Sequence, residues 1–256
     1  MKKIILFAVM LICLLALAAC GSSDKATGGN NVKEVYKVGV DTTYPPFEFQ
    51  EDGKYKGIDI DLIQAIAKDQ GFKVKIEAMD FGGIIPSMQA GELDIGMGGM
   101  SITDERKETV DFSDPYFEAG LSLVVAKGNG KIASLKDLKG KMVAIKNGTT
   151  GAKFAEDHKD EYGYDTIQVS DSTSMFQEVS NGSADALIED YPVISYAIAT
   201  SNLDLQVVGD RLNGDNYGMS VMKGKQDELL KKLNDGLASL KESGKYDEIL
   251  DKYLGE

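Results

Sequence analysis

Arg106 carries a planar, permanent positive charge, the side chain best matched to a carboxylate through two parallel N–H donors. It stands within a dense stretch, GELDIGMGGMSITDERKETVDFSDPY, from Gly91 to Tyr116. There an apolar run from Leu93 to Met97 stops at Gly98 and Gly99, and Ser101 and Thr103 follow. With no Cβ at the glycines, the backbone can approach a ligand closely, and the hydroxyls and amides beyond them can face a pocket. KNGTTG, from Lys146 to Gly151, is a second anion-friendly feature, because a turn entering a helix presents free amides and a positive dipole end. It lacks the spacing of a P-loop, so nucleotide binding is discounted. These residue types and spacings predict a site for a small carboxylate. The competing reading is a surface loop with a solvated arginine.

The elements that must position these residues follow from periodicity. Val35 to Val40 reads as a strand ending at Asp41, and Tyr44, Pro45, Pro46 and Phe47 follow. Two prolines exclude regular structure there, so Asp41 and Tyr44 are placed on a loop at a strand's carboxyl end, the edge where open α/β sheets gather ligands. Ile58, Leu62, Ile63 and Ile66 share a helical face that Gly71 stops. Lys73 to Ala78 alternates as a strand, and Phe81 precedes Gly82, Gly83 and a helix whose Pro86 fits only near its first turn. Leu121 to Ala126 and Met142 to Ile145 are strands, with a short turn at Leu135 to Leu138 between them and a helix expected from about Ala152. A strand near Thr166 to Val169, a helix near Ser174 to Ser180 and a strand from Ala184 to Ile188 follow, with Glu189, Asp190 and Tyr191 ending the last of these. Tyr217 to Met222 reads as a final strand before a helix with Leu229, Leu233, Leu237 and Leu240 on one stripe, which is core packing. Strands alternating with helices predict parallel α/β sheets.

Composition narrows the function classes. Charged residues at 27% and hydrophobic residues at 43% describe ordinary globular protein. Lys2 and Lys3 precede an apolar run from Ile4 to Ala19, too short and wrongly flanked for a stable membrane helix, so residues 1–19 read as a signal peptide. Leu17, Ala18, Ala19 and Cys20 resemble the bacterial lipobox, which implies cleavage before Cys20 and acylation of it. Cys13 leaves with the signal, so no disulfide is expected in the mature domain. Loss of Lys2 and Lys3 takes the formal charge from −13 to −15, which disfavours nucleic acid and anionic membrane surfaces as partners. Attachment to the membrane is then through lipid alone, and residues 20–31, small and polar, form a flexible tether.

Four segments, VGVDTTYPPFEF, FGGIIPSMQAGELDIGMGGMSITDERKETVDFSDPY, IKNGTTGAKFAED and SADALIEDYP, resemble those of the periplasmic amino-acid-binding proteins, the receptors of ABC importers for polar amino acids. The likeness covers nearly all of the chain after Val32. It implies a type II periplasmic-binding-protein fold, two α/β lobes with parallel or mixed sheets flanked by helices and joined by two hinge strands. Lobe 1 is then 32–116 plus 219–256, lobe 2 is 121–215, and the hinge lies at 116–120 and 215–219. It further implies a monomer held outside the cytoplasmic membrane, with permease subunits as partners and no cofactor.

Carried onto this sequence, the family's roles have Arg106 take a ligand α-carboxylate, helped by backbone amides of Ser101 and Thr150. Asp190, the Gly99 carbonyl and the Ser101 hydroxyl hold the α-ammonium. Tyr44 and Phe81 flank the aliphatic part of the side chain, and Asp41 and Lys146 address its tip. Simpler roles are open for several of these: Asp41 as a turn cap, Lys146 and Glu189 as solvent-facing charges, Tyr44 and Phe81 as core aromatics. Lys146 opposes a cationic tip while Asp41 favours a donor, so a neutral amide satisfies both and glutamine is the first choice. The pattern resembles glutamine receptors at Asp41, Phe81, Lys146 and Asp190 but departs at Glu189 and Tyr44. Glu189 keeps arginine, lysine and histidine in play, and glutamate ranks behind them.

Two readings from other classes compete. An enzyme on the same fold, of dehydratase type, needs a titratable group near the reacting bond. His158, the only histidine, is expected on an exposed helix and follows no metal or triad pattern. A ligand sensor would use the same closure but pass its signal through a partner.

Overall fold

The computed structural model describes residues 33–201 and 203–255, so residues 1–32, with the signal, Cys20 and the tether, lie outside them. Two five-stranded sheets carry the architecture. In the first, Lys73–Ala78, Val35–Val40, Ile95–Gly96, Ser220–Met222 and Val110–Phe112 lie in that order. In the second the order is Asp165–Val169, Met142–Lys146, Ala186–Asp190, Leu121–Ala126 and Leu205–Val208. In each sheet three parallel strands are followed by one that runs antiparallel to both of its neighbours, so the fifth runs in the direction of the first three. The sheets are therefore mixed, where alternation of strands and helices alone had suggested parallel ones.

The mixing has one cause in both sheets. Each receives a strand that arrives after the chain has crossed between lobes, and such a strand enters from the opposite end. The crossing is visible as a two-stranded ribbon in which Phe117–Ala119 pairs antiparallel with Asp215–Tyr217. The sequence run from Tyr217 to Met222 is thereby split. Tyr217 ends the ribbon, Gly218 and Met219 intervene, and Ser220–Met222 joins the first sheet.

Three further differences from the sequence reading bear on the site. Thr43–Tyr44 is a two-residue strand, with Tyr44 opposite Glu48 in a small sheet completed by Lys54–Lys56. The prolines at 45 and 46 occupy the turn, where Phe47 N donates to the Tyr44 carbonyl at 2.9 Å, and so leave the strand bonds intact. The apolar run before the glycines contributes only Ile95–Gly96 to the ladder. Glu189 and Asp190 are the last two residues of their strand, and the following helix begins at Tyr191.

Helix Asp227–Glu242 lays Leu229, Leu233, Leu237 and Leu240, all buried, against helix Ile58–Asp69, whose Ile58, Leu62, Ile63 and Ile66 are buried in turn. At about 1.5–3 kcal/mol for each fully buried large aliphatic side chain, this contact fixes the helix Asp227–Glu242 onto the first lobe. No helix among the described residues is long and apolar enough to cross a membrane.

Candidate functional site

A narrow cavity lies where the carboxyl ends of both sheets face one another. Tyr44, Phe81, Gly98, Gly99, Ser101 and Arg106 line it from the first sheet's side, and Lys146, Thr149, Thr150 and Asp190 from the second. Every residue singled out from the sequence for ligand contact lies in this lining except Asp41, which stands behind Lys146. Gly98 and Thr149 were not singled out.

Local structure aims each group. Thr103 caps the short helix Asp104–Lys107, its Oγ1 accepting from Arg106 N at 3.2 Å. Thr149 caps helix Thr150–Tyr162 by accepting from Ala152 N at 3.0 Å, which leaves the first-turn amides and the positive dipole end at the cavity. Gly99 has φ 55°, and a Cβ there would stand 2.6 Å from Tyr44 Cε1. Gly148, φ 77°, comes so close to the first lobe that a Cβ would meet Gly82 Cα at 2.7 Å. Only glycine fits either position.

The electrostatics are uneven. Arg106 Nη1 donates to the Ser101 carbonyl at 2.8 Å and Nη2 to the Gly148 carbonyl at 3.0 Å. Its guanidinium carbon lies 5.2 Å from the Phe81 ring centre. Burial lowers its pKa, with the Asp190 charge acting in the opposite direction; a guanidinium remains a cation regardless. Asp190 accepts through Oδ2 from Tyr44 OH at 2.7 Å and Tyr217 OH at 2.6 Å. Its other oxygen, Oδ1, is buried without a hydrogen-bond partner among the described residues. Burial raises the Asp190 pKa, and the two tyrosine hydroxyls oppose the rise. One end of the cavity thus offers a cation bonded only to carbonyls and a buried carboxylate oxygen with no donor.

The other end is already neutralised. Lys146, only 2% exposed, sits 2.6 Å from Asp41 Oδ2 and donates to Ser172 Oγ at 3.0 Å. The Asp41 contact is ionic and lacks the angles of a directed hydrogen bond. Asp41 Oδ1 meanwhile accepts from Thr43 N at 2.9 Å and Thr43 Oγ1 at 2.7 Å, so the residue caps its turn and pairs with the lysine at once. The Lys146 ammonium lies 4.5 Å from the Tyr44 ring centre and 5.8 Å from that of Phe81.

Several participants escaped the sequence reading. Glu189, for which a solvent-facing role was one open alternative, is buried, as is Lys146, which was read as addressing the side-chain tip. Glu189 Oε1 accepts from Tyr44 OH at 3.0 Å and from Asp190 N at 2.8 Å, while Ser172 Oγ reaches Oε2 at 3.5 Å. Burial, then the neighbouring Asp190 charge, pushes the Glu189 pKa up to about 7. The signal for it was ALIED itself, since a strand covered on both faces buries every residue. Tyr217 and Ser172 carried no local signal, because their partners are remote in sequence. His158 is half-buried and stacked on Phe154, with Nδ1 2.8 Å from the Phe154 carbonyl, and does not line this cavity. Among the described residues no acidic, histidine or cysteine cluster could hold a metal.

Two α/β lobes joined by a strand ribbon, with a polar cavity between their sheet edges, define a two-lobed binding-protein fold. The chain belongs to the bacterial extracellular solute-binding proteins, family 3, whose model matches residues 36–256. It is 33% identical to the arginine-binding extracellular protein ArtP of Bacillus subtilis, over 99% of this chain and 98% of that protein. It is 35% identical to the glutamine-binding protein GlnH of an ABC transporter in the same organism, over 100% and 97%. Among solved structures, an ancestral arginine-binding protein bound to glutamine is 43% identical with a TM-score of 0.81, covering 88% of this chain and 99% of that one. The same description bound to arginine gives 43% and 0.81 over 86% and 98%.

Proposed function

We propose that the chain is an extracytoplasmic receptor that binds a polar L-amino acid, glutamine first, and presents it to an ABC permease. The observation that carries this reading is the pairing of Arg106 with the unpartnered Asp190 Oδ1 in one cavity. An α-carboxylate answers the first and an α-ammonium the second, so one zwitterion satisfies both, with the Ser101 hydroxyl and the Gly99 carbonyl completing the ammonium's shell. Tyr44 and Phe81 flank the methylenes. Lys146 donates to the side-chain carbonyl, and Asp41 acts through Lys146 by fixing its ammonium. Because the Lys146–Asp41 pair carries no net charge, it suits a neutral amide better than a charged tip. Relatives named for glutamine and for arginine make the choice a question for measurement.

Calorimetry at neutral pH is expected to show glutamine binding more tightly than arginine. Arginine binding with glutamine silent would overturn the assignment. The second reading, arginine, is favoured by one observation, the buried Glu189 carboxyl next to Asp190, which makes the pocket anionic when ionised.

The ribbon of Phe117–Ala119 and Asp215–Tyr217 is proposed as the hinge, between lobe 1 (32–116 and 219–256) and lobe 2 (121–215). Small-angle scattering should record a smaller radius on saturation with glutamine, and an unchanged radius would contradict closure. Catalysis is not part of the proposal. Anchoring through acylated Cys20 is retained as a proposal, to be read from the mass of the mature amino terminus.

A further inference from the structure

Behind the cavity a second carboxyl pair is buried, and the binding chemistry does not use it. Glu48, from the small sheet beside Tyr44, and Asp59, in the first turn of helix Ile58–Asp69, are both 0% exposed. Asp59 Oδ2 accepts three hydrogen bonds: from Gly98 N and Gly99 N at 3.0 Å each and from Tyr116 OH at 2.9 Å. Those donors are the cavity's glycine turn and the residue that leads into the ribbon. Asp59 Oδ1 and both Glu48 oxygens are buried with no partner of ordinary donor type among the described residues. Glu48 sits against the same turn, since a Cβ on Gly98 would stand 3.3 Å from its Oε1.

Two carboxylates in this position cannot both be charged. Besides each other, the titratable groups facing the pair are Asp41, Lys146 and Tyr116. Lys146, the only cation of the three, is held by Asp41 at 2.6 Å, and neither Glu48 nor Asp59 has an ion pair of its own among the described residues. Like charges that share a dry site resolve the conflict by keeping one proton. Geometry says which group keeps it: three donors converge on Asp59 and favour its anion, whereas none reaches Glu48.

We propose that Glu48 is a neutral carboxylic acid whose O–H donates to Asp59 Oδ1, and that this one-proton pair is the positioning element for the Gly98–Gly99 turn and Tyr116. The proton satisfies one Glu48 oxygen and Asp59 Oδ1 together. The surviving charge stays on Asp59, where it orders the turn whose Gly99 carbonyl the receptor reading assigns to the ligand ammonium, and ties that turn to the start of the ribbon. The assignment of the proton to Glu48 agrees with the direction of the titrations. Burial and then the Asp59 charge raise Glu48 well above the usual carboxyl range, while the rise at Asp59 is opposed by the Gly99 amide and Tyr116 hydroxyl.

The consequence for the ligand rests on the receptor reading, but the pair itself does not, and its test needs no ligand. Infrared spectra of the wild-type chain at pH 8–9, above the Glu189 pKa of about 7, should retain the carbonyl stretch of a buried protonated carboxyl. Glu48→Gln should remove that band. Thermal melts give the second readout. A carboxyl with a raised folded pKa contributes stability that is complete below its unfolded pKa and is lost as pH rises through the folded one. The melting temperature should therefore fall on the alkaline side in the wild type and fall less in Glu48→Gln, whose amide keeps a donor at all pH values. Absence of the band from the wild-type spectrum overturns the proposal whether or not the variant folds. A band that persists in Glu48→Gln, or an alkaline limb identical in both chains, overturns it as well. Failure of glutamine to bind would reject the receptor reading and leave the band in place.

Discussion

The two cations of the cavity, Arg106 and Lys146, sit in opposite situations. Lys146 is nearly inaccessible, has its counter-ion 2.6 Å away and its hydroxyl partner at 3.0 Å. Arg106 is half-buried, and its hydrogen bonds go to the carbonyls of Ser101 and Gly148. A carbonyl orients a guanidinium but does not cancel its charge. On the proposed receptor reading, the protein completes the site where a side-chain tip is to be discriminated and leaves it incomplete where every amino acid is alike. Affinity should reside at Arg106 and Asp190, and selectivity and folding stability at Lys146, Asp41 and Glu189.

Removing each cation should break this comparison in opposite ways. Arg106→Ala withdraws the proposed partner of the ligand carboxylate, at an expected cost of about 3–5 kcal/mol for an unpaired buried charge, or roughly 10²- to 10³-fold in Kd by calorimetry. Its melting temperature without ligand should stay close to that of the parent, since only carbonyl contacts and the Phe81 stacking are lost. A comparable loss of thermal stability would show that Arg106 is structural. Lys146→Met should show the converse. It strands Asp41 at 3% exposure, and the expected loss is about 3–5 kcal/mol of folding stability, measured by denaturant titration. Adding Asp41→Asn to Lys146→Met should restore most of that loss, because a neutral amide no longer needs the ammonium. If the double variant is no more stable than the single one, the pair is not coupled.

How much of this was visible in the sequence depended on distance along the chain. The stretch from Gly91 to Tyr116 shows its glycine-ended strand, its Thr103 cap and Arg106 as neighbours, because all three are within one turn and its strand. The second half of the site was legible as residue types, in KNGTTG and ALIED, but only the family resemblance brought them to Arg106. Partnerships between remote residues were hidden. Nothing local says that Tyr217 reaches Asp190, 27 positions away, or that Glu48 lies against Gly98. Mixed sheets were implied by the family resemblance and not by the alternation of strands and helices, since strand direction is set by the crossing between lobes and not by the residues within a strand. For Glu189 the sequence left a solvent-facing and a ligand-facing role open, and its place at the end of a central strand covered on both faces decides for burial.

Glu189 also supplies the smallest and sharpest test of the comparison. Its raised pKa of about 7 means that the tip of the cavity is close to neutral in acid and anionic above neutrality. A ligand with a cationic tip gains from the ionised form alone. Between about pH 8 and pH 6 the ionised fraction falls from roughly nine-tenths to one-tenth, so arginine affinity should weaken about 10-fold over that range. Glutamine, which meets the neutral Lys146–Asp41 pair, should change by less than about 3-fold over the same interval. Glu189→Gln should flatten the arginine profile, and folding stability should respond with the sign set by linkage. The stability associated with the protonated Glu189 is complete below the ordinary carboxyl pKa near 4.5 and is lost as pH rises through about 7, so the variant should gain on its parent as the pH is raised. Equal pH profiles for the two ligands would remove Glu189 from the discrimination and return it to Lys146 and Asp41 alone.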